Sequence, residues 1–394
     1  MKIAVIGGGA SGIAAAIFLK RIKGNCVTVF ERSDRILKKL LATGNGRCNL
    51  SNTDISAKNY FSHSPQILNK ILPAFTPEEE RQFFESLGLL LCEENGRLYP
   101  FSKRANALSD AMRFECEHLG VEIRTNSFIN KITRKGNGFI ILGEFFDKVI
   151  ISCGGFSAPS FGTDGNSFTL LKALGHRITP VCYALSPVKV KEDVRALKGI
   201  RAHALISLFD KDTLLKEEYG ELQLTDYGLS GIAVMQLSAL CKENMVIKTD
   251  LLPNFTEEDL FSFLKARKKS LAHLKAEDFL TGFLHKILGQ YILKCCGIKP
   301  NIMAEKLTDG DISRLVKSIK GLTFTVSSVI GKEQSQATRG GARLDEFSPE
   351  TLQSLIVPNL YCTGEALDCV GDCGGYNLHW AWTTAYVVSK GMNN

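Results

Sequence analysis

Gly7, Gly9 and Gly12 stand at GxGxxG spacing inside "VIGGGASGIAAAIFLKR" (residues 5–21), and Glu31 follows Gly12 by 19 residues. Glycines placed this way let a chain approach a dinucleotide. The first permits a tight turn, the second lets backbone near a pyrophosphate, and the third lets a helix pack closely on the preceding strand. The helix N-terminus then offers free N–H groups and the positive end of its dipole to the phosphates. A carboxylate at position 31 would accept both ribose hydroxyls of an adenosine, which favours FAD or NAD over NADP.

This chemistry needs a strand before the glycines, a helix after them and a second strand ending at the acid. "KIAVI" is short and rich in branched side chains, "SGIAAAIFLKRIKG" has helical apolar spacing with a Gly24 stop, and "CVTVFE" closes on Glu31. The competing reading is the apolar core of a secretory signal peptide ending in Ala14, Ala15 and Ala16. Gly7, Gly8 and Gly9 interrupt that core, and a signal peptide is not followed by the second half of a βαβ unit. A nucleotide-binding turn is therefore expected.

A second glycine-led helix lies at the other end, in "NLYCTGEALDCVGDCGGYNLHWAWTTAYVVSKG" (residues 359–391). A short strand at Leu360–Cys362 turns through a glycine-rich loop into a helix with small residues at Ala381, Thr384 and Ala385. The first-turn N–H groups of that helix would be free, and its dipole would stabilise negative charge at the pyrimidine end of a reduced flavin. FAD is long enough to need both sites. Read alone, the stretch is equally an ordinary helix behind a glycine loop. No second GxGxxG follows a strand, so NAD(P)H would have to visit the open flavin face and leave before the substrate, giving ping-pong kinetics.

The 394 residues are 44% hydrophobic and 23% charged, a globular composition sized for two or three domains. Net charge is +7, from 48 basic and 41 acidic residues, which suits anionic ligands but argues little for nucleic acid. None of the twelve cysteines has CxxC spacing, so no metal centre is indicated, and free thiols in a reducing cytoplasm are the plainer expectation. No apolar run of about 18–20 residues predicts a membrane span.

Six segments together resemble a bacterial family of NAD(P)/FAD-dependent oxidoreductases, whose members have been labelled aminoacetone oxidase or bile-acid (oxo-steroid) reductase. They are "VIGGGASGIAAA", "LLATGNGRCNLSN" (40–52), "GRLYPFSKRA" (96–105), "CGGFSAPSFGTDG" (153–165), "DYGLSGIAVMQLS" (226–238) and "GEALDCVGDCGGYNLHWAW" (364–382). The resemblance implies a Rossmann-like α/β FAD-binding domain with an inserted β-barrel-like domain and a helical cap. It implies cofactor contacts from Gly7, Gly9, Ala10, Ser11 and Gly12, from Glu31 and Arg32, and from Lys39. It extends them to Thr43, Gly44, Asn45, Gly46, Arg47, Cys48 and Asn49, and to Cys153 and Gly154. At the C-terminal end it adds Gly364, Glu365 and Asp368, then Gly374, Gly375, Tyr376, Asn377 and Leu378. This chain departs from the family pattern between Cys369 and Cys373, and at Arg339 and Arg343.

Within that frame the loop carrying Arg47 and Cys48 would lie against the flavin. Arg47 would offset phosphate or reduced-flavin charge, unless it is a surface loop arginine. Cys48 reads as packed rather than reactive. Tyr376 would either give a proton to a carbanion beside the flavin or pack under the ring. Cys369 and Cys373 are an unusual spacing for a redox disulfide, and His379 reads as a helix-face histidine rather than a base. "KARKKSLAHLK" (265–275) has no interleaved aromatics and follows Glu257, Glu258 and Asp259, so it reads as a solvated face.

The remaining elements follow from local signals. Thr76, Pro77 and Glu79 open a helix, Asn95-Gly96 turns a hairpin, and Gly120 ends an amphipathic helix. Strands are expected at "VEIRT", "FINKIT", "FIIL" and "KVIISCGG", and helices at "EDFLTGFLHKILGQYILKCCG" and "DISRLVKSIKG". The FAD-binding domain is expected at 1–187 and 336–394. The insert would span 188–335, with barrel strands at 188–255 and 320–335 around a helical lobe at 256–319. The expected activity is FAD-dependent reduction of a conjugated carbonyl or C=C small-molecule substrate with NAD(P)H. The alternatives are a flavin amine oxidase acting on a small aminoketone with oxygen, and a flavoprotein that binds nucleic acid or a redox partner.

Overall fold

A computed structural model describes residues 1–393. The opening strand β1 (Lys2–Ile6), helix α1 (Ala10–Lys20) and strand β2 (Cys26–Phe30) form the expected βαβ unit. A five-stranded parallel sheet runs in the order Leu360–Cys362, Lys148–Ile151, β1, β2 and Glu122–Arg124. Its central strands are buried on both faces, as near-continuous Ile and Val runs require. One strand therefore separates β1 from Leu360–Cys362, the strand of this sheet that comes last in the chain.

The chain divides into two compact units, one of Met1–Ala184 with Lys332–Asn394 and one of Leu185–Gly331. These limits fall slightly before the expected 187/188 and 335/336. Around the junction Ile330 N–H donates to the Pro187 carbonyl at 2.9 Å and Ser186 Oγ donates to the Ile330 carbonyl, so the connecting segments already pair as part of the second unit.

The second unit holds a closed antiparallel barrel. Its strands run Val188–Val190, Gly228–Ser230, Thr213–Leu224, Arg201–Asp210, Val246–Asp250 and Leu322–Val329, and the last pairs back with the first. Alternating inward residues such as Ile206, Leu208, Leu222, Leu224, Ile247 and Phe324 fill it. Helices Glu257–Ser270, Lys286–Cys295 and Asp309–Lys320 make the lobe and share that core through Leu260, Leu264, Ile292 and Leu315.

Several expectations need correction. Phe128 to Ile132 form no strand; only Thr133–Lys135 pairs, with Gly138–Ile141. The stretch 277–297 is α-helical only over Lys286–Cys295, because Gly282 takes φ +107° and ends regular structure before it. A short helix, Ile232–Leu237, sits among the barrel strands and was not expected. The helix Pro77–Ser86 has the expected Thr76/Glu79 capping box, and Ala105–Leu119 ends on left-handed Gly120.

Candidate active site

At the start of α1 the three glycines differ in what constrains them. Gly7 takes φ +113°, and a Cβ there would meet the Ser152 carbonyl at 2.5 Å. A Cβ on Gly12 would fall 2.0 Å from the Gly7 carbonyl, so close packing of helix on strand requires its absence. A Cβ on Gly9 would meet nothing within 4 Å. Protein packing explains the first and third glycines. The second faces space, and the helix it opens has no side-chain cap. Open space against uncapped N–H groups is the cradle a pyrophosphate fills.

Glu31, the residue directly after β2, has both oxygens held: Oε2 accepts from Gly8 N–H at 2.8 Å and Oε1 from Ser33 N–H at 2.7 Å. The carboxylate is thus fixed next to the glycine turn with lone pairs to spare. Arg32 is ion-paired with Asp164 and stacks 4.7 Å above Phe128. Ala10 and Ser11 lie in the first turn of α1, and a Cβ on Gly364 would touch Ser11 Oγ at 2.7 Å. The two chain ends meet there.

From the second end, Glu365 accepts from Lys39 Nζ at 2.8 Å and from Thr338 N–H at 2.6 Å. Neighbouring Gly154, at φ +71°, and Cys153 complete the turn after strand Lys148–Ile151; the Cys153 thiol donates to the Ile6 carbonyl at 3.2 Å, and burial pushes it up to about 12. Positive φ recurs at Gly44, Asn45, Gly46 and Cys48, which coils the segment after Thr43 into a tight loop. Asn49 follows it with a buried Oδ1 that has no hydrogen-bond partner. A Cβ on Gly375 would meet Ser51 O at 2.4 Å and that Asn49 Oδ1 at 2.9 Å, so the loop lies against the start of the C-terminal helix Tyr376–Asn393.

Arg47 is bound to Glu94 at 2.5 Å and stacks on Tyr99 at 4.6 Å, so protein groups already balance its charge. The Cys48 thiol is fully buried and pushed up to about 12 by that burial, which rules against a thiolate at neutral pH. Asn377 turns back on the chain, exchanging hydrogen bonds of 2.9 and 2.8 Å with Gly371, while Leu378 packs on the core. Tyr376 is buried, its hydroxyl pushed up by burial, with its ring edge-on to Tyr60 at 5.8 Å. Cys369 and Cys373 are free thiols, both pushed up by burial, not a disulfide.

His379 corrects its expectation as a helix-face residue. It is fully buried and faces Glu80 at 2.6 Å. Sequence reasoning also missed His63, whose Nδ1 lies 2.9 Å from Asp368 Oδ2. Glu80 lies 299 positions from His379 and Asp368 lies 305 from His63, so no local signal marked either pairing.

Two glycine-led helix starts, a pinned acid at the end of β2 and an unfilled buried acceptor at Asn49 fit a flavin dinucleotide. The profile of the HI0933-like protein Rossmann domain family matches residues 1–391. The chain belongs to that family. Along 99% of its length it is 35% identical to the 3-dehydro-bile acid delta(4,6)-reductase of Clostridium scindens, covering 98% of that protein. It is 27% identical to the ribosomal RNA dihydrouridine synthase of Haemophilus influenzae, over 99% of this chain and 98% of that one. The Escherichia coli protein of the same name is 26% identical, over 98% and 97%. In fold it resembles an open flavocytochrome c3 fumarate reductase, with TM-score 0.51 at 13% identity, over 99% of this chain and 77% of that one. Family and fold make this chain an FAD-dependent oxidoreductase with a Rossmann-like α/β domain and a closed barrel. Among the described residues no helix is long and apolar enough to cross a membrane.

Proposed function

We propose that this family member reduces a carbon–carbon double bond conjugated to a carbonyl in a small molecule, with NAD(P)H as the reductant. Full-length similarity to a reductase of 3-dehydro-delta(4,6) bile acids carries this reading. A ketone conjugated with double bonds is a hydride acceptor, and bound FAD supplies hydride chemistry that no side chain can.

The chain's own residues would bind, orient and exclude water. Gly7, Gly9, Ala10, Ser11 and Gly12 would present α1 to the pyrophosphate, with Glu31 on the ribose and Arg32 beside it. The Lys39–Glu365 pair would face the ribityl chain, with Gly364, Cys153 and Gly154 lining that side. Loop residues Thr43 to Asn49, including Cys48 as packing, would border the ring. Gly374, Gly375, Tyr376, Asn377 and Leu378 would aim the C-terminal helix at its pyrimidine edge.

A second reading is supported by the two ribosomal RNA dihydrouridine synthases. The uracil double bond is also conjugated to a carbonyl, so the chemistry is shared and only the size and charge of the substrate differ. Exposed Lys269 beside Lys268 on helix Glu257–Ser270 would then meet phosphates.

Anaerobic titration of the purified yellow protein with NADH and NADPH, followed by a 3-oxo-4,6-diene steroid or a uridine-containing RNA, tests both. Bleaching by NAD(P)H and recolouring by the steroid supports the first; recolouring by RNA alone, abolished by moderate salt or by charge reversal at Lys268 and Lys269, supports the second. Bleaching by a small aminoketone, with peroxide formed once oxygen is admitted, would replace both with the amine oxidase. Intersecting initial-rate lines would overturn the ping-pong order.

A further inference from the structure

Asp368 is fully buried, yet it holds an exposed histidine. Its Oδ2 accepts His63 backbone N–H at 3.0 Å and lies 2.9 Å from His63 Nδ1. The His63 side chain remains 43% exposed while that of Asp368 is 1% exposed. The other carboxylate oxygen, Oδ1, is buried without a hydrogen-bond partner. An imidazole with one nitrogen anchored to a buried carboxylate and the other turned to solvent is arranged to pass protons, because the anchor sets the tautomer and the ring orientation.

The backbone places this pair beside the segment proposed above to line the cofactor. Strand Val370–Gly371 pairs antiparallel with Tyr60–Phe61, which brings residue 63 back against the segment running from Glu365 to Gly375. The His63 ring stands edge-on to Phe61 at 5.3 Å, and Arg339 lies 3.6 Å over the same phenyl ring. Tyr60 OH donates to the Tyr376 carbonyl at 3.0 Å, which fixes this strand pair to the first residue of the C-terminal helix. Tyr376 itself is buried with its hydroxyl pushed up by that burial, which makes it a poorer proton source than a free tyrosine.

We propose that His63 is the proton donor that completes double-bond reduction, and that Asp368 is its positioning residue; this rests on the conjugated-carbonyl reading above. Bound reduced FAD would supply the two electrons and one hydrogen, as hydride, that the carbon β to the carbonyl takes, and the former π pair would become an enolate on the substrate. His63 Nε2–H then breaks, its electron pair stays on the ring, and a C–H bond forms at the α carbon. The substrate is reduced and the flavin oxidised. The histidine changes only its protonation state, keeps Nδ1–H on Asp368, and regains a proton from water through its exposed edge. The unpartnered Asp368 Oδ1 leaves room for one more donor, a substrate hydroxyl or a water.

The test reduces the holoprotein anaerobically with dithionite and follows recolouring by a 3-oxo-4,6-diene steroid or a uridine-containing RNA. His63→Gln should slow recolouring by about 10²–10⁴-fold, the range of a lost general acid, with the FAD content and oxidised spectrum unchanged. Imidazole should restore part of the rate in His63→Ala. In protein labelled with ¹⁵N-histidine, neutral His63 should carry its proton on Nδ1, and Asp368→Asn should lose that fixed tautomer. Recolouring of His63→Gln at the wild-type rate, or a proton on Nε2 in neutral His63, overturns the proposal while leaving the conjugated-carbonyl reading intact. A wild-type flavin that neither acceptor recolours overturns that reading, and the donor role with it.

Discussion

The carboxylate of Glu80 and the imidazole of His379, 299 residues apart in sequence, face each other at 2.6 Å with neither side chain exposed. Ser51 Oγ closes the group, donating to Glu80 Oε2 at 2.7 Å and standing 3.2 Å from His379 Nδ1. Burial pushes the Glu80 carboxyl up, and the neighbouring imidazole opposes that push. The cluster ties helix Pro77–Ser86 and strand Ser51–Asn52 to the second turn of the C-terminal helix. Removing one partner strands a polar group in the core. His379→Leu should therefore lose about 3–5 kcal/mol, whereas Glu80→Leu combined with His379→Leu should lose less than the sum of the two single changes. Urea unfolding of all three variants measures the coupling, and strict additivity would count against it.

Gly9 and Gly12 separate cofactor binding from folding. A methyl at Gly12 collides with the Gly7 carbonyl, so Gly12→Ala should unfold at markedly lower urea or fail to accumulate. A methyl at Gly9 meets no protein atom within 4 Å, so Gly9→Ala should fold normally yet bind FAD at least tenfold more weakly, about 1.4 kcal/mol. A Gly9→Ala protein as yellow as wild type at limiting FAD would remove the pyrophosphate from this turn.

Thiol chemistry should follow burial. Cys26 is exposed, whereas Cys48, Cys362 and Cys369 are buried with their thiols pushed up by desolvation, Cys48 to about 12. Iodoacetamide on the native protein near neutral pH should modify the exposed Cys26, Cys182 and Cys295 and leave those three buried thiols untouched, as read by peptide mass spectrometry. Rapid labelling of Cys48 would reopen a reactive role for it.

Glu144 predicts a limb of acid sensitivity. Its carboxyl is held down to about 2, first by hydrogen bonds from Arg124 and then by Lys2. A group depressed in the folded state stabilises above its unfolded value of 4.5, and that contribution disappears as pH falls through about 2. Denaturation midpoints measured across this window should fall less steeply for Glu144→Gln than for wild type. Identical slopes would show that the pairing is no stronger folded than unfolded.

Much of the α/β domain was legible because its signals are local. Glycine spacing, branched strands, the Thr76 capping box and the Gly120 stop each depend on neighbours within a few residues, and the structure has each of them. Where a strand depended on distant pairing, as at Phe128 to Ile132, local composition misled. The barrel was expected from strands at 188–255 and 320–335, and the structure closes it where Val188–Val190 meets Leu322–Val329.

The candidate site divides the same way. The amino-acid order alone determined where backbone must bend and which helix tips are free, because those properties belong to single residues and short spacings. Folding decided the partners: Arg47 to Glu94, His379 into the core with Glu80, and His63 onto Asp368. A side chain's charge and exposure are set by what packs against it, and for these residues that neighbour arrives from 47, 299 and 305 positions away.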